Sequence, residues 1–260
     1  MVRPSPIVLP LLILGIGAAA VYGVARLITR RNRVLASLTA GLMAAGLWAL
    51  WRLGAQLASD GTVSWSSEVG APPALLADPG ALLVASVALA LGLLVAVYSG
   101  QYLALDHRYE DYYPLLLLLM TGVIGMVMAA DLFVLYLLTM LTSSATYVLV
   151  AFRRHTDTAI EAGFKYLIMG SMAGMLLLAG IGLIFGDAGS ISLPMQAARG
   201  NWHRELGTVF VLFAYLVKAA IVPGHTWLPD AHGRAPSSVS ALLSGIVIQA
   251  YLYVLLRVSL

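Results

Sequence analysis

The chain has 260 residues, of which 60% are hydrophobic and only 10% are charged, with a formal net charge of +3. Soluble domains carry about 25% charged residues, so this composition excludes an ordinary soluble globular domain with a charged surface. The sequence contains no cysteine, which excludes disulfides, thiolate metal sites and cysteine-ligated iron–sulfur clusters within these residues. Long apolar runs, instead of short alternating ones, predict an all-α polytopic membrane protein.

Apolar runs of about 20 residues predict about eight transmembrane helices. The stretch from Gly54 to Gly80 has no apolar period and is expected to be an aqueous loop. Only Asp131 separates the fourth run from the fifth, which indicates a tight helical hairpin. The first run ends in RLITRRNR instead of a small-residue cleavage site, so we expect a retained span. The predicted spans are about 6–28, 34–53, 79–103, 113–130, 132–152, 162–185, 206–231 and 237–257.

The seventh predicted span contains a Pro-Gly pair, Pro223 and Gly224, shortly after Lys218. Proline removes a backbone hydrogen bond and glycine lets the chain bend, so this helix is expected to be broken. A short surface helix near ISLPMQAA is a further possibility in the loop between the sixth and seventh spans.

Arginines predict the orientation through the positive-inside rule. The larger set follows the first, third, fifth and seventh spans, which places those loops in the cytoplasm and both termini outside. The larger set is Arg26, Arg30, Arg31, Arg33, Arg108, Arg153, Arg154 and Arg234, and the opposite set is Arg3, Arg52, Arg199, Arg204 and Arg257.

Lys218 is the first candidate for a functional residue, because it follows an uncharged run inside the seventh span. An ammonium at membrane depth costs about 2.5–3.5 kcal/mol on insertion scales, so such residues commonly have a function. Desolvated lysines can take up and release protons. The alternative is that Lys218 lies near a helix end and extends to the membrane surface, with its stem covering apolar surface.

A polar cluster follows the break, with His225, Asp230 and His232 within eight residues. Lys218, His225 and His232 are seven residues apart in turn and would share one face of an unbroken helix. Histidine titrates near neutral pH, so the cluster fits a proton path. Alternatively these residues form an interfacial cap, in which Asp230 pairs with Arg234 at i,i+4.

Hydroxyl side chains in the fifth span share one helix face through i, i+3, i+4 and i+7 spacing. This face either lines a proton path or packs against another helix, as small hydroxyl residues often do in membranes. Gln249 is a lone amide in the eighth span, typical of contacts between helices. The hydroxyl residues are Thr139, Thr142, Ser143 and Thr146.

The segment KAAIVPGHTWLPDAHGRAPSSVSALLSG resembles the signature of antiporter-like membrane subunits. These subunits occur in respiratory complex I, membrane-bound hydrogenases, formate hydrogenlyases and Mrp-type cation/proton antiporters. ADPGALLVASVALALGLLVAVYSGQYL and DLFVLYLLTMLTSSATYVLV are similar to the third-helix and fifth-helix regions of the same family. The resemblance implies a division into an N-terminal two-helix segment with its aqueous loop, 1–76, and an antiporter-like transmembrane core, 77–260.

The resemblance implies that Lys218 is a central proton carrier and that His225 and the 227–232 segment belong to its surroundings. The family's fifth helix usually has a Trp-Glu pair, where this sequence has Thr139 and Met140. A basic residue expected in the eighth helix is replaced by Gln249. Family members typically have about fourteen spans, so the match corresponds to a first repeat, truncated or split after the eighth helix.

The resulting hypothesis is a subunit of a multi-subunit, complex-I-related ion-translocating assembly in the cell (inner) membrane. Its expected proton or cation path includes Lys218 and is incomplete alone. We expect no catalysis, prosthetic group or metal in this chain, with any redox centres in partner subunits that include other antiporter-like subunits. The alternatives are a structural subunit without transport or the membrane anchor of an uptake complex. The candidate path residues are Lys218, His225, His232, Asp230, Gln249, Thr139 and Thr142.

Overall fold

The computed structural model describes residues 6–27, 32–66, 72–104, 109–193 and 201–259. The arginines at positions 3, 30, 31, 108 and 199 lie outside these ranges, as does most of the segment for which a short surface helix was predicted.

Ten α-helices, one π-helical turn and one β-hairpin make up the described part of the chain. The π-helical turn, Leu243–Val247, joins the last two α-helices into one continuous helix, Ser237–Ser259. The α-helices are α1 Leu9–Leu27, α2 Asn32–Asp60, α3 Pro79–Tyr102, α4 Tyr109–Val127, α5 Leu132–Val150, α6 Asp157–Ala188, α7 Trp202–Lys218, α8 Leu228–Arg234, α9 Ser237–Leu242 and α10 Ile248–Ser259.

Seven of the described helices are long and apolar enough to cross a membrane: α1 to α6 and the continuous helix Ser237–Ser259. The predicted seventh span corresponds to α7, which is interrupted after 17 residues, and α8. The polytopic all-helical fold and the break are therefore confirmed. The count of eight depends on whether this broken helix is included.

The hairpin of α4 and α5 forms where the sequence predicts it. Asp131 is the N-cap of α5, because its Oδ1 accepts hydrogen bonds from the backbone N–H groups of Phe133 at 2.8 Å and Val134 at 3.0 Å. Such a cap satisfies amides that have no partner within the helix. Asp78 caps α3 in the same way, through Ala81 N at 2.7 Å.

The expectation of a loop throughout 54–80 is wrong in part. Helix α2 continues to Asp60, and strand β1 (Val63–Trp65) pairs antiparallel with strand β2 (Leu75–Ala77). Leu75 and Ala77 are buried in this hairpin. Three-residue strands are too short to show an alternating pattern, and the tertiary contact with the α4–α5 junction stabilises them: Leu76 N donates to Met128 O at 2.7 Å.

Helix α4 lies at the centre of the bundle and packs against α1, α2, α3, α5 and α10. Close packing between helices depends on glycines, as is usual in membranes. A Cβ atom added to Gly180 of α6 would lie 2.6 Å from the carbonyl oxygen of Gly207 in α7. Neither glycine can therefore carry a side chain without moving the two helices apart, which fixes α7 against α6.

Two contacts show which helix ends lie on the same side. Arg26, at the end of α1, lies 3.7 Å from Asp111 at the start of α4. Arg153, after α5, donates to the hydroxyl of Tyr102 at the end of α3 at 3.3 Å. We call this end of the bundle the arginine side, and its assignment to the cytoplasm remains a prediction from the positive-inside rule.

Candidate functional site

Lys218 is buried at the C-terminal end of α7, with a relative exposure of 4%. Its Nζ donates to Ser143 Oγ of α5 at 2.9 Å and to the carbonyl oxygen of Gly170 in α6 at 3.4 Å. The ring centroid of Tyr251 in α10 lies 5.7 Å from Nζ, within the range of a cation–π contact. The ammonium therefore lies between helices and does not extend to the membrane surface, in contrast to the interfacial alternative.

The groups around Lys218 are neutral. Among the described residues, no carboxylate forms an ion pair with its ammonium. Ser143 Oγ can both accept and donate, and the Gly170 carbonyl only accepts. The charge is thus compensated by oriented dipoles and a ring face instead of an opposite charge.

Helix α7 ends directly after Lys218 through local hydrogen bonds. Ala220 N donates to Val217 O at 3.1 Å, and Ile221 N donates to Leu216 O at 2.9 Å. These two bonds define a Schellman motif, which usually requires a glycine in the left-handed region. Here Ala220 occupies that position with φ 56°. The predicted break therefore begins before Pro223, and the Val222–Pro223 peptide bond within it is cis.

Trp227 ties the chain after the break to the end of α7. Its indole Nε1 donates to Val217 O at 2.9 Å, and its ring stacks on Tyr166 of α6 at 4.2 Å between centroids. Gly224 allows this return, because an added Cβ would lie 2.8 Å from Val217 Cα. Val217 O thus accepts from the indole in addition to Ala220 N, and Trp227 itself is only 2% exposed.

Tyrosine hydroxyls extend the polar region around Lys218. The hydroxyl of Tyr251 lies 3.0 Å from Ser143 Oγ, and that of Tyr215 lies 2.8 Å from Thr139 Oγ1. Thr146 Oγ1 lies 3.3 Å from the hydroxyl of Tyr166. The hydroxyl face of α5 therefore meets a tyrosine from each of three other helices.

Thr142 belongs to the packing contact between α4 and α5. Its hydroxyl donates to the carbonyl of Leu138 in the preceding turn at 2.9 Å. A Cβ on Gly122 of α4 would lie 2.9 Å from the backbone nitrogen of Thr142. The hydroxyl face thus makes different contacts along its length: Ser143 contacts Lys218, whereas Thr142 packs against Gly122.

The polar residues after the break do not share one face, because the seven-residue spacing crosses a turn. His225 is exposed in that turn. His232 is half-buried in α8, with Nδ1 2.7 Å from Ser240 Oγ. Asp230 accepts from Lys165 of α6 at 3.0 Å, so its partner is not the predicted Arg234.

Gln249 and Met140 occupy two positions at which the resemblance implies other residues. Gln249 is exposed on the outer surface of α10 and forms no contact with Lys218. Met140 is directed toward α6, where a Cβ on Gly174 would lie 2.9 Å from its methyl carbon. Among the described residues, no group of three or more His, Asp or Glu could hold a metal ion.

Residues 129–260 match the family described as the transmembrane part of NADH:quinone oxidoreductase and Mrp antiporter proteins. The chain belongs to this family. NADH-quinone oxidoreductase subunit N of Neisseria gonorrhoeae is 34% identical over 175 residues, which cover 65% of this chain and 36% of that protein. The matched stretch is thus about a third of the length of the curated relatives.

Two solved structures share the fold over 97% of this chain. One is a chain of the archaeal membrane-bound sulfane sulfur reductase, with a TM-score of 0.88 and 24% identity, of which 52% is covered. The other is a chain of the Mrp complex from Dietzia, with a TM-score of 0.84 and 25% identity, of which 48% is covered. The expected family membership and the multi-pass membrane fold are confirmed.

The tyrosines around Lys218 were not predicted from the sequence. Tyrosine is typical of the membrane–water interface, and a tyrosine inside a span needs a partner for its hydroxyl. Tyr215 is three residues before Lys218, and Tyr251 lies near the middle of the last helix. That position in a span is the signal that could have identified them.

Proposed function

We propose that this chain is part of an ion-translocating subunit of a multi-subunit membrane complex, with Lys218 as its proton-carrying group. The observation that supports this function best is the burial of Lys218 on the neutral acceptors Ser143 and Gly170. A lysine kept at this depth is costly, and its contacts leave it free of a fixed counter-charge.

The arrangement around Lys218 suits short proton transfers. A hydroxyl can accept a proton on one lone pair while it donates its own, so Ser143 can connect Lys218 with the Tyr251 hydroxyl. Thr139 and Tyr215 form a second hydroxyl pair. They belong to α5 and α7, the helices that carry Ser143 and Lys218. In this proposal, water or these hydroxyls carry the proton between Lys218 and the ends of the bundle.

The remaining candidate residues have separate roles in the proposal. His232, bonded to Ser240, is a titratable group near the arginine side. Asp230 is held by Lys165 and positions α8 beside α6. His225 and Gln249 are exposed, so they act only where another transmembrane segment or subunit covers them, and Thr142 contributes by packing.

The proposed location is the cell (inner) membrane, with the arginine side in the cytoplasm and both termini outside. The proposed partners are other membrane subunits, including antiporter-like ones. This proposal is supported by subunit N of NADH-quinone oxidoreductase as a relative and by structural likeness to a chain of the Mrp complex. Redox chemistry, if coupled, belongs to partner subunits, and the transported ion is H⁺ or Na⁺.

The test is substitution in the assembled complex, followed by measurement of ion pumping in vesicles. Lys218→Met removes the titratable group, and we expect pumping through this subunit to be lost while assembly is intact. Ser143→Ala removes one hydrogen-bond acceptor of Lys218, which is worth about 1 kcal/mol. We expect this variant to pump about fivefold more slowly. The matched control is Ser144→Ala, because Ser144 is exposed on the other side of the same helix.

The alternative is a structural subunit that retains the fold without transport. It is favoured by the lack of an ion-paired carboxylate at Lys218 among the described residues, and by Met140 at the position where the family has glutamate. Unchanged pumping in Lys218→Met, with normal assembly, would establish this alternative and refute the transport proposal. The role of membrane anchor in an uptake complex would instead be shown by the identity of co-purifying subunits.

A further inference from the structure

A groove of about 510 Å³ lies between α1 and α4 and extends to the arginine side. Its size falls within the range of about 300–1,000 Å³ that is usual for ligand pockets. The groove is open because the α1 residues that line it have small side chains. Apolar residues of α4 form its other wall. The apolar lining is Gly15, Ala18 and Ala19 from α1, with Pro114, Leu115 and Leu118 from α4.

Charged groups surround the mouth of this groove. Asp111 and Arg154 line it. Arg26 lies 3.7 Å from Asp111 and donates to the hydroxyl of Tyr22, which also lines the groove. Asp111 is therefore already compensated by Arg26.

Arg154 is the second arginine at the mouth. It is exposed in the turn after α5, and its guanidinium has no hydrogen-bond or ion-pair partner among the described residues. Arg26 is attracted by both Asp111 and Glu110, whereas Arg154 lies next to the apolar floor without an ion pair among the described residues. Guanidinium groups bind phosphate through two parallel N–H donors, so this site is suited to a phosphate at the membrane edge.

A groove at the other end of the bundle provides a comparison. It lies between α2 and α3, measures about 440 Å³, and is lined by Leu57, Pro79, Leu82 and other uncharged residues. A further groove of about 490 Å³ lies between α2 and α3 on the arginine side and is lined by Arg33. Arginines thus line the two grooves on the arginine side, whereas the groove at the other end has no charged lining residue. Basic pockets between helices on one side of a membrane are the sites that recognise anionic headgroups.

We propose that the α1–α4 groove binds an anionic phospholipid, with one acyl chain along the small residues of α1 and the phosphate at Arg154. The ligand is a lipid because the groove combines an apolar floor at membrane depth with a cation at headgroup level. It is an anionic lipid because the guanidinium of Arg154 lines the groove, has no ion pair among the described residues and is suited to bind a phosphate.

The experiment uses the complex purified from membranes in mild detergent and counts bound lipid on this subunit by native mass spectrometry. Dioleoyl phosphatidylglycerol is the anionic probe and dioleoyl phosphatidylcholine the zwitterionic one, each added to delipidated complex. The wild type is expected to retain one phosphatidylglycerol molecule. The affinity of Arg154→Gln for this lipid is expected to be about tenfold lower, because one charge-assisted contact is lost. Arg234→Gln, an exposed arginine on the same side that does not line the groove, is expected to behave as the wild type.

A second pair of variants tests the groove itself. Ala19→Phe fills the groove and is expected to remove the bound lipid, whereas Ala20→Phe, at a neighbouring exposed position outside the lining, is expected to leave it. Equal retention in Arg154→Gln and wild type, or in Ala19→Phe and Ala20→Phe, overturns the proposal. Equal retention of the two lipids also overturns the proposal. A further contrary result is a wild-type complex in which residues of the groove crosslink to a partner helix and no lipid is bound there.

Discussion

The left-handed Ala220 leads to an unusual pair of predictions, in which the same substitution at adjacent alanines has opposite effects. An L-residue in the left-handed region costs about 1–2 kcal/mol, which glycine does not incur. Glycine loses about 0.5–1 kcal/mol through its greater freedom in the unfolded chain. Ala220 is also half-buried, so the loss of its methyl group costs about half of 0.8 kcal/mol. Ala220→Gly, at φ 56°, is therefore expected to stabilise the protein by about 0.3 kcal/mol.

Ala219→Gly is the matched comparison. Ala219 has φ −80° and is 5% exposed, so glycine relieves no strain there. The substitution costs the same 0.5–1 kcal/mol of chain entropy and about 0.8 kcal/mol for the buried methyl group. We expect Ala219→Gly to lower stability by about 1.5 kcal/mol, which makes the two variants differ by about 2 kcal/mol.

The assay is the thermal unfolding of the purified complex in one detergent, followed by fluorescence-detected size exclusion. The melting temperature is expected to rise slightly for Ala220→Gly and to fall clearly for Ala219→Gly. If both variants lose the same stability, then Ala220 is not held in the left-handed region and the Schellman end of α7 is refuted. Because both alanines are within two residues of Lys218, the pair also shows whether pumping depends on the rigidity of this helix end.

Two further predictions concern hydrogen bonds to carbonyls at helix ends. Trp227→Phe keeps an aromatic ring but removes the donor to Val217 O, and is expected to cost about 1–2 kcal/mol in the same assay; a loss no larger than that of an exposed Trp48→Phe control would contradict this. Arg257 donates to Val127 O at 2.6 Å and lies 3.7 Å from Asp78, so Arg257→Gln is expected to cost about 1.5–3 kcal/mol. Unchanged melting of that variant would show that the contact is not made.

The candidate site was predictable where residue type alone carries the information. Lys218 is conspicuous because charge is rare in an apolar run, and the Pro-Gly pair indicates a broken helix wherever it occurs. The contacts of Lys218 were not predictable in the same way. Ser143 and Gly170 are 75 and 48 residues away in the sequence, and helix packing alone decides which hydroxyl of a four-residue face points at the ammonium.

The positions of Asp230 and Gln249 show the same limit. The i,i+4 rule pairs Asp230 with Arg234, but the closure of α8 onto α6 brings Lys165 within 3.0 Å and supplies a different partner. The resemblance implies a basic residue at the position of Gln249, and Gln249 is exposed on α10. Local periodicity shows which residues share a face of one helix. It does not show which neighbouring helix that face contacts.

The sequence by itself determined that this is a helical membrane protein with a helix broken after a lysine, because hydropathy and helix-breaking residues act locally. The tertiary structure decided that the break begins with a left-handed Ala220 and that Trp227 donates to the Val217 carbonyl. It also decided that Ser143, Gly170 and Tyr251 surround Lys218. These features depend on contacts between helices, and such contacts are set by close packing at residues such as Gly180 and Gly207.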